Sequence, residues 1–254
     1  MKESEATMSD TKQPHIRCGR EDAAPYAILP GDPQRVERVK AFLDNPVDIA
    51  FNREYKSCRG TYKGVPVMVV STGIGGASAG IAVEELRQIG VHTLIRIGSC
   101  GALQPDMRLG DLVIACGAVR DDGASRAYIS DNFPAVPDTT LLQAMLDSAR
   151  RQGFTSHCGL IHSHDSFYTD HEDRSREHWR QHGVLAADME TSALLVIARL
   201  RGLRAASILN VVVEQQDNIE AGINDYVDGE GRTAQGERNE ILTTLEAIAS
   251  LAAH

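Results

Sequence analysis

The chain is punctuated by short apolar runs separated by amphipathic stretches. Two of the runs, residues 65–70 and 91–97, are β-like, and the first is apolar throughout apart from Pro66. A run of that kind suits a strand covered on both faces. Between them lie a glycine-rich turn, Ser71-Thr72-Gly73-Ile74-Gly75-Gly76, and a helix predicted over 78–89. Further buried strands are predicted over 26–29, 111–119, 158–163, 184–187 and 203–213. Residues 51–62 alternate loosely and read as one strand carrying Arg53 and Glu54, and Tyr62-Lys63-Gly64-Val65 reads as a hairpin turn into the central run.

Helical spacing appears after Pro30-Gly31-Asp32-Pro33, where Val36, Val39 and Phe42 share a face. Asp138 caps a second helix with Leu141, Leu142, Met145 and Ala149 on one side. Helices follow over 174–182 and 191–201, and Ile241, Leu242, Leu245, Ile248 and Leu251 mark a C-terminal one. Residues 217–236 are acidic, glycine-rich and aperiodic, and read as a loop or lid. Strands alternating with helices predict an α/β domain. Residues 1–14 are expected to be a polar disordered tail and 15–254 a single domain.

The chemistry clusters at predicted strand ends. The turn at 71–76 offers orphan amides at a helix start, a natural anion site. Arg96-Ile97-Gly98-Ser99-Cys100-Gly101 sets a cation and a hydroxyl at a strand's carboxyl end, where open α/β sheets bind ligands. The turn is not a dinucleotide fingerprint, because Ser78 replaces the third small residue and Arg96 stands where an acidic residue belongs. Gly98-Ser99-Cys100-Gly101 lacks nucleophile-elbow spacing, and Cys100 reads as a packing residue. His162, His164 and Asp165 lack a second ligand group with metal-site spacing. Asp188-Met189-Glu190 at a strand-to-helix junction is unusual, since burying two carboxylates costs several kcal/mol unless they bind something.

Formal charge is −9, from 26 basic and 35 acidic residues. That argues against nucleic acid or an anionic membrane as partner, and an anionic substrate would need locally clustered arginines. Five cysteines without paired spacing, an N-terminus without an apolar core and no apolar run of spanning length lead us to expect a reduced, cytoplasmic protein.

The segments AILPGDPQRVERV, STGIGGASAGIAVEEL, IRIGSCGALQP, GDLVIACGAVRDDGAS and ADMETSALLVIA together resemble the nucleoside phosphorylase family of the uridine phosphorylase type, from His15 onward. The resemblance implies a single-domain three-layer α/β fold around a mixed, barrel-like central sheet. It also implies a homodimer or homohexamer (a trimer of dimers) with shared active sites, and phosphorolysis of a nucleoside to base and ribose 1-phosphate. Carried over by motif, phosphate would lie at Gly31, Arg35, Arg96 and Ser99, with Arg53 from the neighbouring subunit. Ribose would lie at Met189 and Glu190, with His15 from the neighbour, and Arg96, Glu190 and Arg35 would carry the catalysis. Phe167 would stack on the base. Glu54, Ile74 and Ser78 match positions that hold K+ in some relatives; no other cofactor is implied beyond phosphate as co-substrate.

The base site departs from the pattern. The Gln and Arg that read uracil are missing after Phe167, leaving His171 and Arg174 as substitutes, and Val211-Val212-Val213 stands where purine enzymes carry Ser-Asp. Val212 and Val213 therefore read as an apolar wall of the base pocket. A pyrimidine nucleoside is the expected substrate. The alternatives are a phosphorylase of altered or purine specificity, a nucleosidase, which the retained arginines disfavour, and a silent nucleoside- or phosphate-binding protein.

Overall fold

The computed structural model describes residues 12–215 and 231–253. Its strands are β1 Tyr26–Pro30, β2 Asp44–Asn52, β3 Tyr55–Tyr62, β4 Val65–Val70, β5 Thr93–Ala102, β6 Leu112–Asp121, β7 Ser156–His164, β8 Ala186–Asp188 and β9 Arg204–Val213. Its helices are α1 Pro33–Lys40, α2 Gly76–Ile89, α3 Gly123–Tyr128, α4 Thr139–Gln152, α5 Glu172–Gln181, α6 Thr191–Leu200 and α7 Arg232–Ala252.

Among the described residues these strands form one mixed sheet in the order β2-β3-β4-β1-β5-β8-β7-β6-β9. An additional parallel pairing of β5 with β9 closes β5, β8, β7, β6 and β9 into a five-stranded ring. This is the expected barrel-like sheet. Period-two alternation sorts its side chains. Ala27, Leu29, Met68, Val70 and Leu94 face α2 and α6. Ile28, Val67, Val69, Ile95, Ile97 and Ile208 face the other way, against α1, α4 and α7. A third cluster, including Ala102, Met107, Val113, Ile161 and Leu209, fills the ring.

Several predicted elements take a different form. The segment 51–62 is two strands joined at Arg53-Glu54, with Asn52 paired to Tyr55. Arg53 holds φ 54°, so the turn lacks the Gly or Asn that would have announced it. Lys63 and Gly64 do form the expected hairpin, both at positive φ. The second apolar run continues as β5 through Gly98-Ser99-Cys100-Gly101, because that glycine-rich stretch is held by ladder bonds to β9 and then β8. Helix α2 begins at Gly76, two residues early. There a Cβ would sit 3.0 Å from Ala193 and 3.1 Å from Ala124, so glycine allows α2 to approach α6 and α3 closely. The segment after β6, read as a simple turn, contains α3, capped by Asp122 accepting from the Ser125 amide.

Of the predicted lid, 217–230 lies outside the described residues, while 232–236 is the first turn and a half of α7. Residues 1–11 of the predicted tail also lie outside; Gln13 is tied to Cys18 by a backbone hydrogen bond of 2.9 Å. No described helix is long and apolar enough to cross a membrane.

Helix α7 owes its docking to Ile241, Leu245 and Ile248 against the sheet and α4. Leu245→Ala is expected to lower unfolding stability by about 2–5 kcal/mol, through lost transfer energy plus the cavity left behind. The shift of the urea midpoint at unchanged slope measures it.

Candidate active site

A cavity of about 670 Å³ opens at the carboxyl ends of β1, β4, β5, β8 and β9. Its lining includes Gly31, Arg35, Glu54, Ile74, Arg96, Ser99, Met189, Glu190, Val212 and Val213. Residues scattered over more than 180 positions of sequence thus share one wall.

Arg35 is delivered by the first turn of α1, whose start is fixed by Pro33 and by Asp32 accepting from the Gln34 amide at 2.8 Å. Although it lies in the first turn of an exposed helix end, Arg35 is only 2% exposed. Its Nη2 donates to Ser99 Oγ at 3.0 Å, its Nη1 to the Ile97 carbonyl at 3.2 Å, and its Nε to Glu237 at 2.9 Å.

Arg96 projects from β5 into the same cavity. Its Nε donates to Asp188 at 3.0 Å and its Nη2 pairs with Glu190 at 2.6 Å. Burial works against the charge on Arg96, but Glu190 and Asp188 together outweigh it and hold its pKa above the ordinary value. Asp188 is itself pinned by Ser163 Oγ, Thr191 Oγ1 and the Thr191 amide, so it fixes the guanidinium plane. Gly98 leaves the space that plane occupies: a Cβ there would lie 2.6 Å from Arg96 Nη2 and 2.8 Å from a Leu209 methyl.

Glu190 closes the arrangement. Its second oxygen accepts the Gly75 amide at the start of α2, and burial pushes its pKa up against the pull of Arg96. The glycine turn therefore meets a carboxylate of the chain itself. Gly75, read as an amide for an external anion, is taken by Glu190, and the Gly73 amide by the Gly31 carbonyl. Positive φ at Gly73 and Gly75 makes this turn possible.

Glu54 and Ser78 also meet, with Ser78 Oγ donating to Glu54 at 2.6 Å and to the Thr72 carbonyl at 2.6 Å. Among the described residues no group of three or more His, Cys, Asp or Glu is arranged to hold a metal, the 162–165 cluster included. Cys100 is buried and its thiol is pushed well up by desolvation, in keeping with a packing role.

Six predicted residues do not line the cavity of this chain: Ser78, which lies behind Glu54, and five others. Arg53 is exposed at the β2–β3 turn, beside Glu54. His15 is held elsewhere by Glu85, which takes its Nδ1 at 2.6 Å and the amides of His15 and Ile16. Phe167 packs edge-on to Tyr168, His171 precedes α5, and Arg174 is exposed on its first turn.

The sequence reading missed Arg176. This half-buried residue of α5 donates to the Ala102 carbonyl at 3.3 Å, and its Nη1 lies 3.3 Å from where a Cβ on Gly101, a lining residue, would be. Burial holds its pKa below the ordinary value. It also missed Glu237 and Glu240, because a C-terminal amphipathic helix is read for its apolar face. The i, i+3 spacing of the two carboxylates was the available signal.

The geometry sets two buried guanidinium groups beside buried carboxylates in one cavity. The profile of the phosphorylase superfamily matches residues 25–248. A guanosine phosphorylase of Halorubrum lacusprofundi is 39% identical over 244 residues, spanning 94% of this chain and 99% of that protein. A uridine phosphorylase of Escherichia coli is 40% identical over 223 residues, 82% of this chain and 88% of that protein. The chain belongs to the nucleoside phosphorylase family. The crystal structure of uridine phosphorylase from Vibrio fischeri ES114 matches it with TM-score 0.89 and 45% identity, over 96% of this chain and 99% of that one. The chain is accordingly a pentosyltransferase of this family, with the fold its motifs implied.

Gly98→Ala is expected to push Arg96 away from Asp188 and Glu190. Because charge-assisted hydrogen bonds contribute about 1.5–3 kcal/mol, kcat/KM should fall at least roughly tenfold. Unchanged circular dichroism alongside that loss would separate displacement of Arg96 from misfolding.

Proposed function

We propose that this nucleoside phosphorylase acts on pyrimidine nucleosides, uridine foremost, releasing the base and forming ribose 1-phosphate in nucleoside salvage or catabolism. The observation that carries the proposal is the convergence of Arg35, Arg96 and Ser99 on one cavity with Glu190 and the apolar Val212 and Val213. Phosphate sits between the two guanidinium groups and the Ser99 hydroxyl, with the Gly31 backbone at its side. Arg53 of a second copy supplies a further cation. The ribose lies on Met189, its hydroxyls donating to Glu190, and the partner's His15 meets the sugar from across the dimer.

Catalysis in this reading is electrostatic more than acid–base. As the glycosidic bond breaks, positive charge develops on the sugar, and phosphate, held by the arginines, stabilises it and then attacks C1′. Glu190 leaves its pairing with Arg96 for the ribose, which frees that guanidinium for the anion. The departing base carries negative charge, and Arg176, whose guanidinium lies beside the lining residue Gly101, is the cation assigned here to its carbonyl. Phe167, His171 and Arg174 reach the base only if the segment after β7 moves inward.

The exposed Ile74 at the cavity rim and the exposed Phe51 and Val47 of β2 support a dimer contact. We carry the family's homodimer or homohexamer and a cytoplasmic setting into the proposal. The carboxylate of Glu54, the Ser78 hydroxyl and the Ile74 main chain are hard oxygen donors with one negative charge among them, which suits K+ at that contact. There the ion would fix the hairpin that carries Arg53.

A 6-oxopurine nucleoside is the second reading, supported by the likeness to the Halorubrum guanosine phosphorylase. One assay orders these readings: uridine, thymidine, inosine, guanosine and adenosine are each incubated with and without phosphate, and free base is followed. Phosphate-dependent release, fastest from uridine, is expected. Release without phosphate would mark a nucleosidase, and binding without release a silent receptor.

Arg96→Ala should cost at least about tenfold in rate, since the contact is charge-assisted. Arg176→Ala should raise KM for the nucleoside several-fold and leave KM for phosphate in place. An equal effect on both would remove Arg176 from the base side.

A further inference from the structure

One buried ionisable group has no part in the chemistry so far. Glu240, on α7, is fully buried; the Gly98 amide approaches its carboxylate, but neither oxygen accepts a well-formed hydrogen bond from a described residue. It lies directly behind the phosphate arginine, with Arg35 Nη1 3.5 Å from Oε1. Leaving an ionised carboxylate there unsatisfied is costly, and a carboxyl in that position neutralises itself by holding its proton.

The groups around it divide: burial and Glu237 oppose its charge, while Arg35, Arg96 and the Gly98 amide favour it, and burial prevails. Along its own helix, one turn earlier, Glu237 already binds Arg35 at 2.9 Å and Arg38 at 2.9 Å. From β5 it faces the Gly98 amide, the more distant Arg96 and the Cys100 thiol. β9 packs against α7 with Ile208 and Asn210, neither of them titratable. With Glu240 neutral, Arg35, Arg38 and Arg96 balance the carboxylates of Glu237, Asp188 and Glu190, three against three. If Glu240 were ionised, the carboxylates would outnumber the cations before a phosphate dianion arrived.

We infer that Glu240 is a proton-holding positioning residue: its neutral form leaves the charge of Arg35 available to phosphate, and phosphate binding retains or takes up that proton. The inference rests on the assignment of phosphate to Arg35 and Arg96. Burial raises the pKa of Glu240 to about 8, against the pull of Arg35. The coupling therefore acts at and above that pH, where inorganic phosphate is already the dianion.

The sign follows from linkage. Glu240 is more basic in the folded chain than in the unfolded one. Stability is therefore full below the ordinary carboxylate range and declines as pH rises through about 8. Phosphate affinity behaves alike, falling above about pH 8 as the free site must first regain a proton.

Calorimetric titration of the full-length protein with inorganic phosphate tests this, from about pH 7 to 9.5, in two buffers of different ionisation enthalpy. Kd, expressed per phosphate dianion, is expected to rise roughly tenfold from pH 7 to pH 9, with uptake approaching one proton per phosphate above pH 8. In Glu240→Gln, which keeps shape without the proton, both the rise and the uptake should vanish. The thermal midpoint of Glu240→Gln should exceed that of the unaltered chain by an amount that is small near pH 5 and grows until about pH 8.

The same slope in both proteins, or a midpoint difference independent of pH, would overturn the inference. If Glu240→Gln does not fold, absence of proton uptake by the unaltered chain overturns it alone. No phosphate binding at any pH would instead remove the phosphate assignment, and the inference with it.

Discussion

Two arginine side chains drawn out of water, one from the first turn of α1 and one from within β5, are the constraint around which this molecule is arranged. A buried guanidinium needs its donors met and its charge answered. Arg96 is answered by Asp188 and Glu190, and Arg35 by Glu237, the Ile97 carbonyl and the Ser99 hydroxyl. These partners come from β5, β8, the start of α6 and α7, so satisfying two cations ties together elements from both faces of the sheet. Asp188 is held in turn by Ser163 and Thr191, which extends the mesh to β7.

Such a mesh is poised as well as stable. Each guanidinium already has an internal carboxylate in contact, so under the proposed function a ligand anion would enter by exchange and not by filling an empty charge. Glu190 is the partner the proposal assigns to that exchange. It bridges Arg96 and the Gly75 amide, and burial disfavours its charge. The closed ring of β5, β8, β7, β6 and β9 gives this exchange a rigid frame. Gly98 and Gly101 sit in the shared strand β5 where side chains would otherwise collide with Arg96 and Arg176.

Much of this was legible in the residues. The continuous apolar runs became the central strands β4 and β5, and the positive-φ pair Lys63-Gly64 became the hairpin between β3 and β4. Arg35, Arg96, Ser99, Met189 and Glu190, named from motifs, do share one cavity. The β2–β3 turn was not legible, because Arg53-Glu54 carries no turn chemistry of its own and Arg53 takes positive φ under the demand of the paired strands. The continuation of β5 through Gly98–Gly101 was likewise imposed by its neighbours and not by propensity.

The amino-acid sequence alone determined the α/β alternation, the strands buried on both faces and the residue types able to grip phosphate and ribose, since these depend on local periodicity and side-chain chemistry. Which charges oppose which was decided only by the tertiary structure. The turn at Gly75 receives Glu190, Arg176 and not Arg174 reaches Gly101, and Glu240 lies behind Arg35, more than two hundred residues away along the chain. The reason is physical: a charge's partner and its hydration are set by distance and burial in three dimensions, and sequence spacing carries neither.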